Sequence, residues 1–500
     1  MSQTEAECKA KCYGKKFQYD PKWKGPSFNE ERSPTDVGFL KKFAVFSIIW
    51  LGIAVYAYVR GNLLEKFSFF HHTYFEETHY VQQNNSYTSS YNDKTQSYIA
   101  SRMTAVNDFT PSYFGFLYSL ASATLCIVYM ALLRLFTKQT VYATITIYLT
   151  IIFCLTCIAA VSCTMGSFVV LFLVFLLFAF LSVISSILFV LHHKKIDIAF
   201  KVIQEASRYV TFFSKITLFQ LFSCFLFTAV ILFAGTVFIT LLSIENEFHE
   251  MPYHVKIFLL YNLFGYLWAT GIVLGFSRTV LAGAFATLYW TREEINVSKN
   301  SIVFCSKKIL KNHLGTLVFG SLILTPCQFI KSLLNIIKIL LKILSCKFDC
   351  KERYEHVFGN LEKEVKCIHH NAYIMCALHG TSFCKSAEDA FNLLKRRSIK
   401  VLPMKTINIT LLLGQVLIVG ISVSLSTTYF AFFLINLEKA LAVILSVLIA
   451  SLLLSSFMFM VLRIAINTII LNVLEDYERN DGSEEQPYFM NLQMKNLFIE

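Results

Sequence analysis

The chain is short of charge. Of its 500 residues, 16% are charged and 55% are hydrophobic, whereas soluble domains carry roughly 25% charged residues. Apolar runs longer than roughly eighteen residues recur along it, which excludes a soluble fold and implies an all-α polytopic membrane protein. Acid is missing where a proton relay needs it. The six central apolar runs, 43–59, 114–136, 141–163, 168–191, 213–242 and 259–290, contain neither Asp nor Glu, which argues against a carboxylate relay through them. No GxSxG, HExxH, P-loop or strand-borne GxGxxG occurs, so no enzyme of those classes is expected. His369, His370 and His379 cluster without acids at a metal-ligand spacing, as do His192 and His193, and both groups read as histidines at a membrane surface. No metal or cofactor is expected. A cleavable signal peptide is missing too: residues 1–36 are polar, with Lys9, Lys11, Lys15 and Lys16, so the first apolar run serves as an uncleaved start. Cysteine is absent from the polar stretch 60–112. Elsewhere Cys126, Cys154, Cys157, Cys163, Cys224, Cys327 and Cys376 lie in or beside apolar runs and read as small buried hydrophobes. Cys346, Cys350 and Cys367 flank basic sequence beside the membrane, a setting for S-palmitoylation.

What is present is an alternation of charge. The formal net charge of +12 is spread over alternate loops and forms no single basic patch, so nucleic acid is not an expected partner. Arg134 and Lys138 follow the second run; Lys194, Lys195, Lys201 and Arg208 follow the fourth; Arg292, Lys299, Lys307, Lys308 and Lys311 follow the sixth. The loop after the fifth run is acidic, with Glu245, Glu247 and Glu250. The positive-inside rule then places both termini in the cytosol and residues 60–112 outside. Asn84, in the sequon Asn84-Asn85-Ser86, becomes a glycosylation site in that outer loop. The segment 192–210 reads as a basic amphipathic helix on the cytosolic face. From Leu314 a further run ends in Lys331, Asn335, Lys338 and Lys342 on one helical face; it either buries that stripe against protein or folds back. Residues 371–384 are apolar but too short to span, so they end a longer helix or form a re-entrant piece. Ser386 is a candidate cap for a cytosolic helix that follows. With last spans at 409–434 and 440–462, the count is about ten transmembrane helices, or eight if residues 314–384 do not cross fully. The division is a polar, flexible N-terminal arm at 1–42, a transmembrane domain at 43–474 and a C-terminal tail at 475–500.

The stretch Leu259–Trp290 is the one around which the rest is organised. Small residues recur every fourth place at Gly271, Gly275, Thr279, Gly283 and Thr287, a ridge that lets helices approach closely in lipid. The ridge predicts close helix contacts at Gly275 and Gly283. Tyr261, Gly265 and Trp268 share a face, Arg278 lies deep in the run, and Tyr289 and Trp290 close it. With no carboxylate in the spans, aromatic faces are what can hold an organic cation, at about 0.5 to 2 kcal/mol per contact. Tyr261, Tyr266, Trp268, Tyr289 and Trp290 are therefore candidate substrate contacts, with helix packing and an interfacial aromatic belt as the other role for the same residues. Gly265 is expected to leave room for a ligand beside Trp268.

Five stretches resemble the choline transporter-like family of solute carriers. They are Arg32-Ser33-Pro34-Thr35-Asp36-Val37, with Pro34 where the family has Cys; Leu281 to Ala286 with Tyr289-Trp290; His313 to Thr316 with Phe319 to Leu324; Asn371 to Ile374, Gly380 to Cys384, Ser386-Ala387 and Asp389 to Phe391; and Asn480 to Ser483. They stand in the family's order along nearly the whole chain. The resemblance implies a ten-span, multi-pass transporter of the plasma membrane with cytosolic termini, carrying choline or a related quaternary ammonium, with ethanolamine as a second substrate. Its partners are then that small cation and membrane lipid. A membrane scaffold or regulator that keeps the fold without transport is the alternative.

Overall fold

A computed structural model describes residues 16–20, 23, 25–26, 32–61, 120–165, 176, 180, 183, 198–213, 215–244, 251–291, 297–298, 300–343, 369–396, 404–432, 437–491 and 494–495. Among these the regular structure is helical. The helices are α1 (Val37–Arg60), α2 (Leu120–Leu135), α3 (Thr137–Met165), α4 (198–212), α5 (Ile216–Leu242), α6 (Tyr253–Trp290), α7 (Ser301–Asn312), α8 (Leu314–Ile343), α9 (Asn371–His379), α10 (Phe383–Arg396), α11 (Met404–Phe432) and α12 (Leu437–Arg479). Five described helices, in α1, α5, α6, α11 and α12, are long and apolar enough to cross a bilayer. The expected fourth span at 168–191, the outer loop with Asn84, and Cys346, Cys350 and Cys367 lie outside the described residues, apart from positions 176, 180 and 183.

α6 is the hub. It packs against α1, α5, α7, α8, α9 and α12. Its 38 residues make a rod of about 57 Å at 1.5 Å per residue, nearly twice the roughly 30 Å of bilayer hydrocarbon. The two halves differ. Tyr253, Ile257, Leu260, Leu263, Phe264 and Leu267 are exposed, whereas Thr279 to Phe285 are all buried in protein. α12, with 43 residues, repeats this: Leu445, Ile449 and Leu452 are exposed, and nearly everything from Phe457 to Asp476 is buried. Exposed apolar side chains on α1, α5 and α11, such as Ile48, Val55, Phe222, Phe225, Leu412 and Val416, continue that apolar surface around the bundle. Large exposed apolar surface is tolerated where lipid covers it.

Several sequence expectations change. Residues 371–384 do not end a longer helix: α9 is nine residues long, enclosed from Ala372 to Leu378, and turns at Gly380 (φ 67°) into α10. Ser386 lies inside α10, its hydroxyl 2.7 Å from that of Thr381. The described part of the N-terminal arm is docked: Phe17 and Trp23 both stack on His379, and Gly25 (φ 88°) passes so close to Trp290 that a Cβ there would collide with the Trp290 side chain. Helix α4 is sunk into the core through Val202, Ile203 and Ala206 and is more than a surface helix. Cys154 and Cys157 are exposed on the surface of α3, whereas Cys126, Cys224 and Cys376 are buried.

Candidate functional site

The aromatic cluster on α1 and α6 holds the first two candidate residues. Phe43, Phe46 and Trp50 fall at spacings of three and four on one face of α1, and α6 offers Tyr261, Phe264 and Trp268. Trp268 is buried; its ring lies 4.9 Å from Phe43, 5.1 Å from Phe46 and 5.6 Å from Phe264, and its indole N–H donates to the Val318 carbonyl at 3.0 Å. Tyr261 stacks on Phe46 at 4.4 Å and donates its hydroxyl to the Phe46 carbonyl at 3.0 Å. The room expected at Gly265 is taken by Trp50, whose ring lies 2.8 Å from where a Gly265 Cβ would be. Trp50 is held in turn by Asn262 Oδ1, which accepts its N–H at 2.9 Å, while Asn262 Nδ2 donates to the Ala234 carbonyl of α5 at 2.9 Å. Three helices are thereby tied at one point. The α1 half of this cluster was missed by sequence reading, although the Phe43, Phe46 and Trp50 spacing carries its signal.

Tyr289 and Trp290 lie elsewhere. The distance along α6 from Trp268 to Trp290 is about 33 Å, so the five candidates fall into two separate groups along the helix, Tyr261, Tyr266 and Trp268 in one and Tyr289 and Trp290 in the other. Tyr289 donates to Asp476 Oδ2 at 2.8 Å and the Trp290 N–H reaches Asn472 Oδ1 at 3.3 Å, both on α12. Asp476 also accepts from Asn480 Nδ2 at 2.6 Å and from the backbone N–H groups of Phe489 and Met490 at 2.8 and 3.0 Å. One carboxylate thus gathers the end of α6, α12 and the tail, and its lone pairs are satisfied as burial requires. Its neighbour Glu475 takes Arg479 at 2.8 Å and His379 at 3.1 Å, and Glu478 takes Arg396 through two nitrogens, both at 2.8 Å.

The stretch around Asp36 knits the same end. Arg32 donates to the carbonyls of Ala377 and Leu378 at 2.9 and 3.0 Å, groups at the end of α9 with no partner in their own helix. Asp36, in the left-handed region at φ 56°, accepts from Thr316 Oγ1 at 3.0 Å and from the Phe383 N–H at the start of α10 at 3.3 Å. A carboxylate at a helix N-terminus is favoured by the free N–H groups there. Thr35 Oγ1 lies 3.0 Å from His313 Nδ1. Burial and the Arg32 charge hold the His313 ring down to about 4, below the ordinary histidine value, with Asp36 opposing them.

Arg278 meets the ring of His370 and sits beside Tyr373. Among the described residues the Tyr373 hydroxyl is buried without a hydrogen-bond partner, between Gly275 and Gly320, whose added Cβ atoms would lie 3.0 and 2.9 Å from it. The small-residue ridge of α6 therefore receives a tyrosine at Gly275, and at Gly271 it meets Ser321 of α8, 2.9 Å from an added Cβ. Gly283 is buried.

Residues 173–478 match the family described as plasma-membrane choline transporter. The chain is 32% identical over 394 residues to Choline transporter-like protein 2 of Danio rerio, covering 64% of this chain and 54% of that protein. It is 37% identical over 265 residues to Choline transporter-like protein 2 of Homo sapiens, covering 51% and 37%. It is 35% identical over 257 residues to Choline transporter-like 2 of Drosophila melanogaster, covering 49% and 32%. The match thus spans about half the length of these relatives or less.

Proposed function

The chain belongs to the plasma-membrane choline transporter family, and on that premise we propose that it carries choline, or a related small organic cation such as ethanolamine, across the plasma membrane as a facilitative transporter and not as an enzyme. The observation that carries this reading is the family match across 173–478, which takes in the hub helix α6 together with α9, α10 and nearly all of α12. The proposed topology has ten spans, cytosolic termini and an outer loop at 60–112 glycosylated at Asn84. The buried ends of α6 and α12 then project on the cytosolic side, beyond the lipid-covered surface.

Selectivity rests on π faces. Choline's methylated ammonium sheds water against aromatic rings more cheaply than a primary ammonium does. The proposed contacts are Tyr261 and Trp268, with Tyr289 and Trp290 at the other end of the same helix. The α1–α6 rings pack on one another in this state, so access to them requires α1 to move against α6. Trp268→Leu keeps apolar bulk and removes the π face. Uptake of labelled choline into vesicles should then need about tenfold more substrate for half saturation, the size of about 1.4 kcal/mol, with protein level near normal. Unchanged half saturation in Trp268→Leu and in Tyr261→Leu would return both rings to packing alone. A scaffold that keeps the fold without transport is the second reading, favoured by the engagement of all four aromatics in hydrogen bonds within the bundle; absence of uptake by folded protein would select it.

A further inference from the structure

Where α2, α5 and α12 meet lies a cavity of about 300 Å³, at the lower end of the range of ligand sites. Ile127, Met130 and Arg134 fall at spacings of three and four on one face of α2 and form its first wall. Phe213, in the turn between α4 and α5, and Met458 and Val461 of α12 form the others, and these three are buried. Ile127 is exposed at the rim, and Val128, Leu132 and Leu135 continue the exposed apolar surface along α2. The cavity therefore opens on the lipid-facing side. Among the described residues on its wall, Arg134 alone is charged. It is exposed and, among the described residues, makes no ion pair or hydrogen bond. Glu205 of α4 does not line the cavity and is met by Arg208 at 4.0 Å.

We propose that this cavity holds one anionic phospholipid, its phosphate on Arg134 and part of an acyl chain against Met130, Phe213 and Met458, the rest lying along the exposed face of α2. An unpaired cation at the mouth of an apolar cavity matches an amphiphile with a negative head on an apolar chain. A soluble anion would leave the apolar walls uncovered, and an organic cation such as choline would be repelled by Arg134. A zwitterionic lipid brings its own ammonium to the phosphate, which cancels much of the attraction. In the proposed topology Arg134 stands at the cytosolic boundary. Anionic lipid is concentrated in that leaflet, and basic pockets between helices hold its head groups there. Occupancy couples α2 to α5 and α12, whether or not the chain carries choline.

Met130 and Met458 stand on different walls of the cavity and report on it directly. Met375, enclosed in α9, and Met494, in the tail, serve as references away from it. Full-length protein labelled with methyl-¹³C methionine is placed in phosphatidylcholine nanodiscs, and its resonances are assigned by single Met→Leu variants. Raising the phosphatidylserine fraction, with acyl chains unchanged, should move the Met130 and Met458 resonances saturably and leave Met375 and Met494 in place. Arg134→Gln, at an exposed position, should raise the half-saturating fraction about fivefold or more, and Arg134→Lys should raise it less. Lys138→Gln removes an equal charge four residues on and off the cavity wall, and should titrate like the parent. Unmoved Met375 and Met494 in these variants show that the fold is kept. The proposal is overturned if Met130 and Met458 stay fixed, if Arg134→Gln titrates like the parent, or if Lys138→Gln weakens the response equally, the mark of general surface charge. It is also overturned if soluble glycerophosphoserine moves both resonances as well as the lipid does, the mark of an anion subsite alone. No arm of the test depends on uptake, so its failure leaves the transport reading standing.

Discussion

His313 shows how a single residue answers for a distant contact. Its ring is enclosed where α7 meets α8, near the Arg32 charge, and is held to about 4. A folded-state value below the ordinary one means that the neutral ring's contribution to stability is complete above about pH 6.5 and is lost as the pH falls toward about 4. His313→Gln should therefore lower stability near neutrality and flatten the acid limb. Thermal unfolding of both proteins from about pH 7 to about pH 4 checks this, and parallel curves would contradict it. The histidine was legible in the sequence as part of a family motif, but its environment was not. Arg32 and Thr35 lie more than 270 residues away along the chain, and no local pattern encodes that approach. The same holds for Asp36. It stands one residue before α1, makes no side-chain cap bond there and serves α8 and α10 instead.

At the scale of elements, α6 was the most legible part of the chain. Its length, its ridge of small residues and its aromatic ends all follow local periodicity. The identity of the group filling the ridge did not follow, because Tyr373 comes from a helix too short and too apolar to classify by pattern. The contact gives a specific expectation. Gly275→Leu drives a branched side chain into the Tyr373 ring, whose atoms lie 3.0 Å from even a Cβ, and overpacking of this kind costs about 1–3 kcal/mol or more. Folded yield in detergent should fall for Gly275→Leu and recover in part when Tyr373→Ala is added, since the second change empties the space the first one needs. Equal yields for parent and Gly275→Leu would rule out a tight contact. The second half of α12 was missed for the opposite reason. Polar and charged residues after Arg463 read locally as the end of a membrane span, but in the fold they are the helix's most enclosed part, because Asn472, Glu475 and Asp476 find partners on α6, α9 and the tail.

The molecule as a whole divides into a lipid-facing part and a protein-enclosed end where the family motifs meet. The stretches around Asp36, Tyr289, Thr316, Gly380 and Asn480 are scattered in sequence, yet they converge there. The proposed topology makes that end cytosolic and puts residues 60–112 outside. A single thiol introduced as Asn84→Cys, in a chain with its other accessible cysteines replaced, should react with an impermeant maleimide on intact cells; reaction only after permeabilisation would reverse the topology. Carriage of choline by the chain itself is tested most directly by counterflow in vesicles holding the purified protein, loaded with unlabelled choline and free of ion gradients. External labelled choline should enter faster than into empty vesicles and pass transiently above its equilibrium level. Entry no faster than into empty vesicles, with the chain folded in the membrane, would contradict it.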